Sequence, residues 1–274
     1  MKAALIILTH NQKEKTLRCL ESCRYINGID HKIFLWDNGS ADGVLEIVSA
    51  EYTEVKLYRS EKNIGVASAR NACAKEALKF SPDYLLFLDN DTIVDRNFLY
   101  HLINGLSGSH YAIVSPKIKI MNDHNYLYGA GSLNVIFRKG KTQHLGYNEL
   151  DKGQYDTVID PIPSGGCFLV RSEVFKELNG FDEIFSPYGP EDIDFVFRAK
   201  ALGYRTKYIP EAVIYHESKP AKTAQKLFRY SLRRLYHWLI ILNRHATKSD
   251  ILAFLFLYGP FFSAKQVLTK FRTN

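Results

Sequence analysis

Short apolar runs alternate with stretches of helical period through residues 1–110. Residues 3–8 read as a buried strand, followed by a helix over 13–23. Residues 32–36 form a second strand and 44–51 a second helix. A short strand at 55–58 precedes an Ala-rich helix over 66–80. Residues 84–88, entered through Ser81-Pro82-Asp83, are a fourth strand, with a helix near 98–106. Strand–helix alternation at this spacing predicts an α/β fold with a mostly parallel, Rossmann-like sheet and helices on both faces.

The pattern loosens after residue 110. Strands are expected over 112–120 and 135–137, with Gly129, Gly131 and Gly140 marking turns. A strand at 168–170 leads into a helix over 173–178. Residues 191–202 form a further helix that Gly203 terminates at the C′ position. Short strands at 205–208 and 212–215 complete this part. From residue 221 the chain changes character to two basic, aromatic-rich helical stretches separated by Thr247-Lys248-Ser249-Asp250. The expected organisation is a body over 1–220 and a C-terminal helical extension over 221–274.

Composition narrows the class. The 274 residues are 46% apolar and 24% charged, which suits a globular chain long enough to bury a sizeable core. The net charge of +7 is unevenly spread. Residues 221–274 hold ten Lys/Arg and one acid, Asp250, for +9; the other 220 hold 26 basic and 28 acidic groups, for −2. A near-neutral body removes most of the support for nucleic-acid binding. Four cysteines exclude a disulfide scaffold. Cys19 and Cys23 are one helical turn apart, with no second Cys pair or His to complete a zinc site, and a reducing compartment is expected. Residues 3–8 are too short for a secretory signal. The run over 251–262 is broken by Gly259-Pro260 and falls short of the roughly 20 residues needed to span a bilayer.

Polar residues collect where strands end, the place where open parallel sheets bind ligands. Strand one gives Thr9-His10-Asn11 and strand two Asp37-Asn38-Gly39-Ser40. Strand three leads to Asn63-Ile64-Gly65, and strand four gives Asp89-Asn90-Asp91. Each alone reads equally well as a turn or helix cap. Asp89 and Asp91 after Tyr-Leu-Leu-Phe-Leu put two like charges at the end of a buried strand, which a Mg2+ or Mn2+ ion bridging to a diphosphate would offset. The bland alternative is a loop in which Asp91 caps the next helix. No glycine-rich phosphate loop follows strand one, which disfavours Rossmann dehydrogenases and P-loop enzymes. A second cluster, Glu191-Asp192-Ile193-Asp194 behind Pro190, offers a general base or simply an acidic helix start. Pro163-Ser164-Gly165-Gly166-Cys167 lets backbone approach a ligand closely, or is a glycine bend.

In their order along residues 3–218 these segments resemble the family 2 inverting glycosyltransferases of the GT-A fold. The resemblance rests on Ile6-Ile7-Leu8-Thr9-His10-Asn11, Asp37-Asn38-Gly39-Ser40, and Asn63-Ile64-Gly65-Val66-Ala67 with Arg70-Asn71. It continues through Leu88-Asp89-Asn90-Asp91, Ser164-Gly165-Gly166-Cys167-Phe168, Gly180-Phe181-Asp182-Glu183 and Glu191-Asp192-Ile193-Asp194-Phe195. The continuation to Arg198-Ala199 is most similar to bacterial rhamnosyltransferases of surface polysaccharide synthesis. The resemblance implies a nucleotide-binding half over about 1–110 and an acceptor half over 111–220. It implies that Thr9, Asp37, Asn63, Arg70, Asp89 and Asn90 contact the nucleotide, with Asp37 accepting from a uracil or thymine ring. Asp89, Asp91 and His216 would hold Mg2+ or Mn2+, and Asp192 would deprotonate the acceptor hydroxyl. Gly165, Gly166 and Glu191 would line the acceptor or donor-sugar position. The implied donor is dTDP-rhamnose, with a UDP-hexose as the alternative, and the implied acceptor is a glycan or a polyprenyl-diphosphate-linked glycan.

Two other classes fit less well. A sugar nucleotidyltransferase would carry a glycine-rich basic loop after strand one, where this chain has Thr9-His10-Asn11-Gln12. A nucleotide-sugar-binding protein without turnover would not need Asp89, Asp91 and Asp192 together. The basic aromatic tail suggests an element lying on an anionic membrane surface, which would make the protein cytoplasmic and peripheral on the inner face of the cell membrane. The alternative is a hairpin packed on the body or on a second copy in a homo-oligomer.

Overall fold

Alternation of faces within each buried strand decides how the layers form. In β1 (Lys2–Thr9), Ala3, Leu5 and Ile7 join one core cluster while Ala4 and Ile6 are buried on the other face. A computed structural model describes residues 1–106, 111–157, 160–163, 166–217 and 224–258, without the side chains of Leu133 and 224–231. After β1 come α1 (Lys13–Cys23), β2 (Asp30–Asp37), α2 (Val44–Glu51), β3 (Lys56–Arg59), α3 (Val66–Leu78) and β4 (Tyr84–Asp89). The strands β3, β2, β1 and β4 lie side by side and parallel.

The chain continues through β5 (Thr92–Val94), α4 (Phe98–Leu106), β6 (Tyr111–Ile120), β7 (Asp123–Gly129), β8 (Ser132–Ile136), β9 (Lys141–His144) and β10 (Glu149–Leu150). Then follow β11 (Cys167–Arg171), α5 (Ser172–Glu177), α6 (Glu191–Ala201) and β12 (Arg205–His216). Here the sheet becomes mixed. β11 sits between β4 and β6 and runs antiparallel to both, while β12 is parallel to β6. β6 and β7 are joined by two residues, a connection that permits only antiparallel pairing.

Several elements differ from expectation. The predicted strands at 205–208 and 212–215 are one strand, β12, whose register shifts between Ile209 and Val213. Pro210 lies inside that shift, where the missing N–H costs no ladder bond. The predicted strand at 135–137 ends at Ile136, and Phe137–Lys139 is a 3-10 turn closed by Gly140 at φ +57. The short strands β5, β7 and β10 carry too little apolar periodicity to be read from sequence.

The two faces of the sheet are packed differently. Helices α1, α2 and α4 bury Cys19, Leu20, Cys23, Val44, Val48, Phe98 and Leu102 on one face. On the other, Phe87 of β4 packs with Phe168, Phe175 and Phe181, and Phe195 of α6 completes the aromatic cluster. This cluster fixes where α6 begins, and so where its acids stand.

The chain forms two compact units, 1–133 with 144–218, and 134–143 with 219–274. In the second unit, α7 (Ala224–His245) is followed by α8 (Lys248–Ala253), capped by Thr247, and one π-helical turn over Phe254–Tyr258. Residues 221–223 and 259–274 of the expected tail lie outside the described residues.

Candidate functional site

Register brings the polar strand ends together. Thr9 is paired with Asp37 across β1 and β2, and Leu8 with Asp89 across β1 and β4. All lie at the C-terminal edge of the parallel strands.

Asp37 is fully buried. Its Oδ1 accepts from the Ser40 N–H at 2.9 Å, while Oδ2 accepts no hydrogen bond and faces the Arg59 Nε at 3.5 Å. A buried carboxylate oxygen without a donor is costly, and a ligand N–H would satisfy it. Asn38 latches this loop to the start of α3, accepting from the Ile64 N–H at 2.9 Å and donating to Asn63 Oδ1 at 3.1 Å. Asn63 also accepts from the Gly65 N–H. A side chain on Gly39 would meet the Lys62 backbone at 2.8 Å, so the approach of the two loops requires glycine. Asn90 turns inward rather than toward the strand-end opening. Its amide donates to Thr16 Oγ1 at 2.8 Å, which in turn lies 2.8 Å from Thr9 Oγ1. Thr9 and Asn90 therefore brace β1, α1 and β4 from beneath.

Asp89, Asp91 and His216 each present a ligand atom within 4.8 Å of the others. The turn after β4 leads directly into β5, and β5 pairs with β12 so that Thr92 lies opposite His216. That register sets His216 beside Asp91, with Nε2 at 3.3 Å from Oδ1. His216 Nδ1 donates to the Glu217 carbonyl oxygen at 2.7 Å, which leaves Nε2 as the ring atom that faces the carboxylates. Two carboxylates and an imidazole nitrogen converging in this way are a donor set that fits a divalent cation. Asp91 does not cap the following helix: Asp95 accepts from the Asn97 N–H instead. Glu217, which pairs with Lys15 and Arg18 of α1, ties down the end of β12. Cys19 and Cys23 are buried and not joined in a disulfide, and Asp89, Asp91 and His216 are the one metal-capable cluster among the described residues.

The acids opening α6 have separate partners. Glu191 is buried and accepts from Arg70 Nη1 at 3.0 Å; Arg70 Nη2 donates to Asp89 at 3.0 Å. Burial pushes the Glu191 carboxyl up to about 7 against the pull of Arg70. Asp194 pairs with Arg198 at 2.8 Å, and Arg198 also donates to the carbonyls of Leu178 and Gly180. Asp192 is half-buried and accepts from the adjacent Ile193 N–H at 2.8 Å. Burial raises its pKa, Arg70 opposes that, and the Asp89 charge adds to it. Gly166, at φ +119, packs against His216, whereas Gly165 and Ser164 lie outside the described residues. Sequence reasoning missed Arg59 and Tyr128, the latter stacked on His216, because neither sits in a motif.

The sequence profile described as "Glycosyl transferase family 2" matches residues 4–179. The chain belongs to this family. A second profile, described as "N-terminal domain of galactosyltransferase", matches residues 148–220 of this family 2 chain. Probable N-acetylgalactosaminyltransferase 6 of Caenorhabditis elegans is 26% identical over 226 residues, 73% of this chain and 36% of that protein. The chain thus spans about a third of the length of the first curated relatives it matches. Rhamnosyltransferase WbbL of Escherichia coli (strain K12) is 27% identical over 265 residues, 88% of this chain and 95% of that protein. The crystal structure of GalNAc-T7 with UDP, GalNAc and Mn2+ superposes with a TM-score of 0.68 at 18% identity, over 89% of this chain and 48% of that one. The fold is GT-A.

Proposed function

We propose that this chain transfers a sugar from a nucleotide sugar to an acceptor hydroxyl in one in-line displacement that inverts the anomeric centre. The observation that carries the reading is the division of labour at α6. Glu191 and Asp194 are each held by an arginine, whereas Asp192 accepts from the neighbouring Ile193 N–H, which favours Asp192 as the acid that meets the acceptor hydroxyl.

The resemblance implies the roles, and the positions of the residues support them. Asp37 Oδ2 accepts the ring N–H of a uracil or thymine, satisfying its missing hydrogen bond. Asp89, Asp91 and His216 would hold Mg2+ or Mn2+. The ion supplies Lewis-acid stabilisation of the charge that the leaving nucleoside diphosphate acquires. Arg70 keeps Asp89 and Glu191 at fixed spacing and adds positive potential beside the diphosphate. Asp192 accepts the acceptor's proton as its oxygen bonds to the anomeric carbon, so no covalent enzyme intermediate is needed. Gly166 and Glu191 border the sugar position, and residue 165 is assigned there by resemblance.

Similarity along nearly the whole length of the rhamnosyltransferase WbbL favours a dTDP-rhamnose donor, with assembly of a surface polysaccharide on a glycan or lipid-linked acceptor. The N-acetylgalactosaminyltransferase relatives favour a UDP-hexosamine instead. Screening UDP-, dTDP- and GDP-sugars for Mn2+-dependent stabilisation and nucleotide release separates them, and the anomer formed reports inversion. No release from any donor would defeat the reading.

The second unit fits peripheral binding to an anionic membrane. No helix among the described residues is long and apolar enough to cross a membrane. Yet α7 is apolar on two faces: Trp238, Ile241 and Leu242 are buried, while Leu232, Tyr236 and Leu239 are exposed at one-turn spacing. Leu252, Leu255, Phe256 and Leu257 are exposed as well, in a segment carrying +9. Replacing Tyr236, Leu239 and Phe256 by Glu should release the full chain from phosphatidylglycerol vesicles. Undiminished vesicle binding would reject this face.

A further inference from the structure

His216 is restrained by more than its own hydrogen bond. The bond from Nδ1 to the Glu217 carbonyl fixes one point of the ring but leaves the plane free to tilt about it. Tyr128 of β7 removes that freedom: the two rings stack at 4.1 Å between centroids with an interplanar angle of 11°. Gly166 bounds the ring elsewhere. A methyl group there would lie 3.2 Å from His216 Cδ2, 3.6 Å from Nε2 and 3.7 Å from Asp89 Oδ2. The Nε2 lone pair lies in the ring plane, so whatever sets the plane sets where the lone pair points.

We propose that Tyr128 is a positioning residue that holds the His216 imidazole in the plane required for its Nε2 to act with Asp89 and Asp91 on a divalent cation. The proposal rests on the reading of those three residues as a metal site. Tyr128 reaches His216 from a different element. β7 pairs antiparallel with β6, and β6 pairs in parallel with β12, which carries His216 at its end. The contact therefore couples the ligand to the sheet rather than to its own strand alone. Hydrogen-bonded partners that orient a metal-bound histidine from outside the coordination sphere change metal affinity by about 10–100-fold when removed, and a stacked ring that fixes the same plane would act through the same orientation. A flat aromatic face is the feature needed; the phenol oxygen is not.

The test uses the full chain with Mn2+ as the probe, in the presence and absence of UDP, reading free Mn2+ by its electron paramagnetic resonance signal. Tyr128→Phe keeps the face and should bind Mn2+ within about twofold of the parent. Tyr128→Leu fills similar space without the planar face and should weaken binding by about 10–100-fold. The metal-free melting temperatures of these two variants should agree, which a purely structural role for Tyr128 would not give. In transfer assays, Tyr128→Leu should raise the Mn2+ concentration for half-maximal rate and leave the acceptor KM unchanged. His216→Ala and Asp91→Asn are the references for loss of a ligand. If they abolish binding while Tyr128→Leu matches the parent, the positioning role is overturned and the metal site stands. If neither reference changes Mn2+ affinity, the site and the proposal fall together.

Discussion

The guanidinium of Arg70 lies 3.0 Å from Glu191, a residue 121 positions later in the chain. Its other terminal nitrogen is 3.0 Å from Asp89. One buried cation thus spans the carboxylate at the end of β4 and the first acid of α6. This bridge joins the two halves of the site and distinguishes Glu191 from Asp192 beside it.

Removing that cation should destabilise the chain severely. Arg70→Met leaves Glu191 buried without its partner, and breaking a buried pair from one side costs about 3–5 kcal/mol. Equilibrium denaturation of the metal-free protein measures it. The double variant Arg70→Met with Glu191→Gln should recover part of the loss, because the more deeply buried of the two carboxylates is no longer left unpaired and only the partly exposed Asp89 lacks its cation. A single variant as stable as the parent would show that the bridge is not formed in solution.

Asp192→Asn keeps the side-chain shape and removes the proton acceptor. Donor binding should persist while transfer falls by about 10²-fold or more. Glu191→Gln should lower the chemical step less, since Glu191 is turned to Arg70. The parent's rate should also rise with pH, because the base works only as a carboxylate and burial raises its pKa. The inflection should lie above the ordinary aspartate value of 3.8. Rates measured for both variants and across pH decide the assignment; near-parental transfer by Asp192→Asn would move the base to Glu191 or Asp194.

Asp89→Ala and Asp91→Ala should each abolish Mn2+-dependent binding of a nucleoside diphosphate while the fold survives. Asp91 faces His216 at 3.3 Å, so its loss removes both a ligand and the partner of the ring. Calorimetric titration with UDP or dTDP, with Mn2+ and with EDTA, reads the effect. Equal affinity in Mn2+ for both variants and the parent would remove the metal from the mechanism.

Asp151 offers a pH test of the ion pairs beyond residue 110. Burial works to raise its pKa, but hydrogen bonds from Lys119, the Gly153 N–H and Lys117 prevail and lower it. A carboxyl lowered in the folded state binds fewer protons there than in the unfolded chain. Its stabilising contribution is therefore present above the unfolded value and is lost as pH falls through the folded one. Asp151→Asn should flatten the loss of stability on acidification below about pH 4. Urea midpoints at several pH values test this, and a slope equal to the parent's would show that the lysines do not hold Asp151.

Much of the site was legible because local pattern and chemistry coincide in the first half. Continuous apolar runs ending in Thr9, Asp37 and Asp89 gave both the strands and their polar termini. Parallel pairing then left little choice about which edge those termini share. The break at 247–250 was equally readable, since Thr247 caps α8 through the Asp250 N–H.

Tertiary structure decided what sequence spacing does not encode. The partners of the α6 acids were undetermined: three acids in four residues look alike until Arg70 takes Glu191 and Arg198 takes Asp194. Asn90 lies between Asp89 and Asp91, yet its amide donates to Thr16 of α1, a partner 74 positions earlier. His216 meets Asp91 only because the three-residue strand β5 pairs with β12, a register too short to leave a hydrophobic signature. Tyr128 is silent in the sequence for the same reason: β7 is largely exposed, so no periodicity marks its inward face. Burial pattern is written in the order of residues, whereas the pairing of charges and rings across more than 80 positions follows from how the strands of the sheet lie against one another.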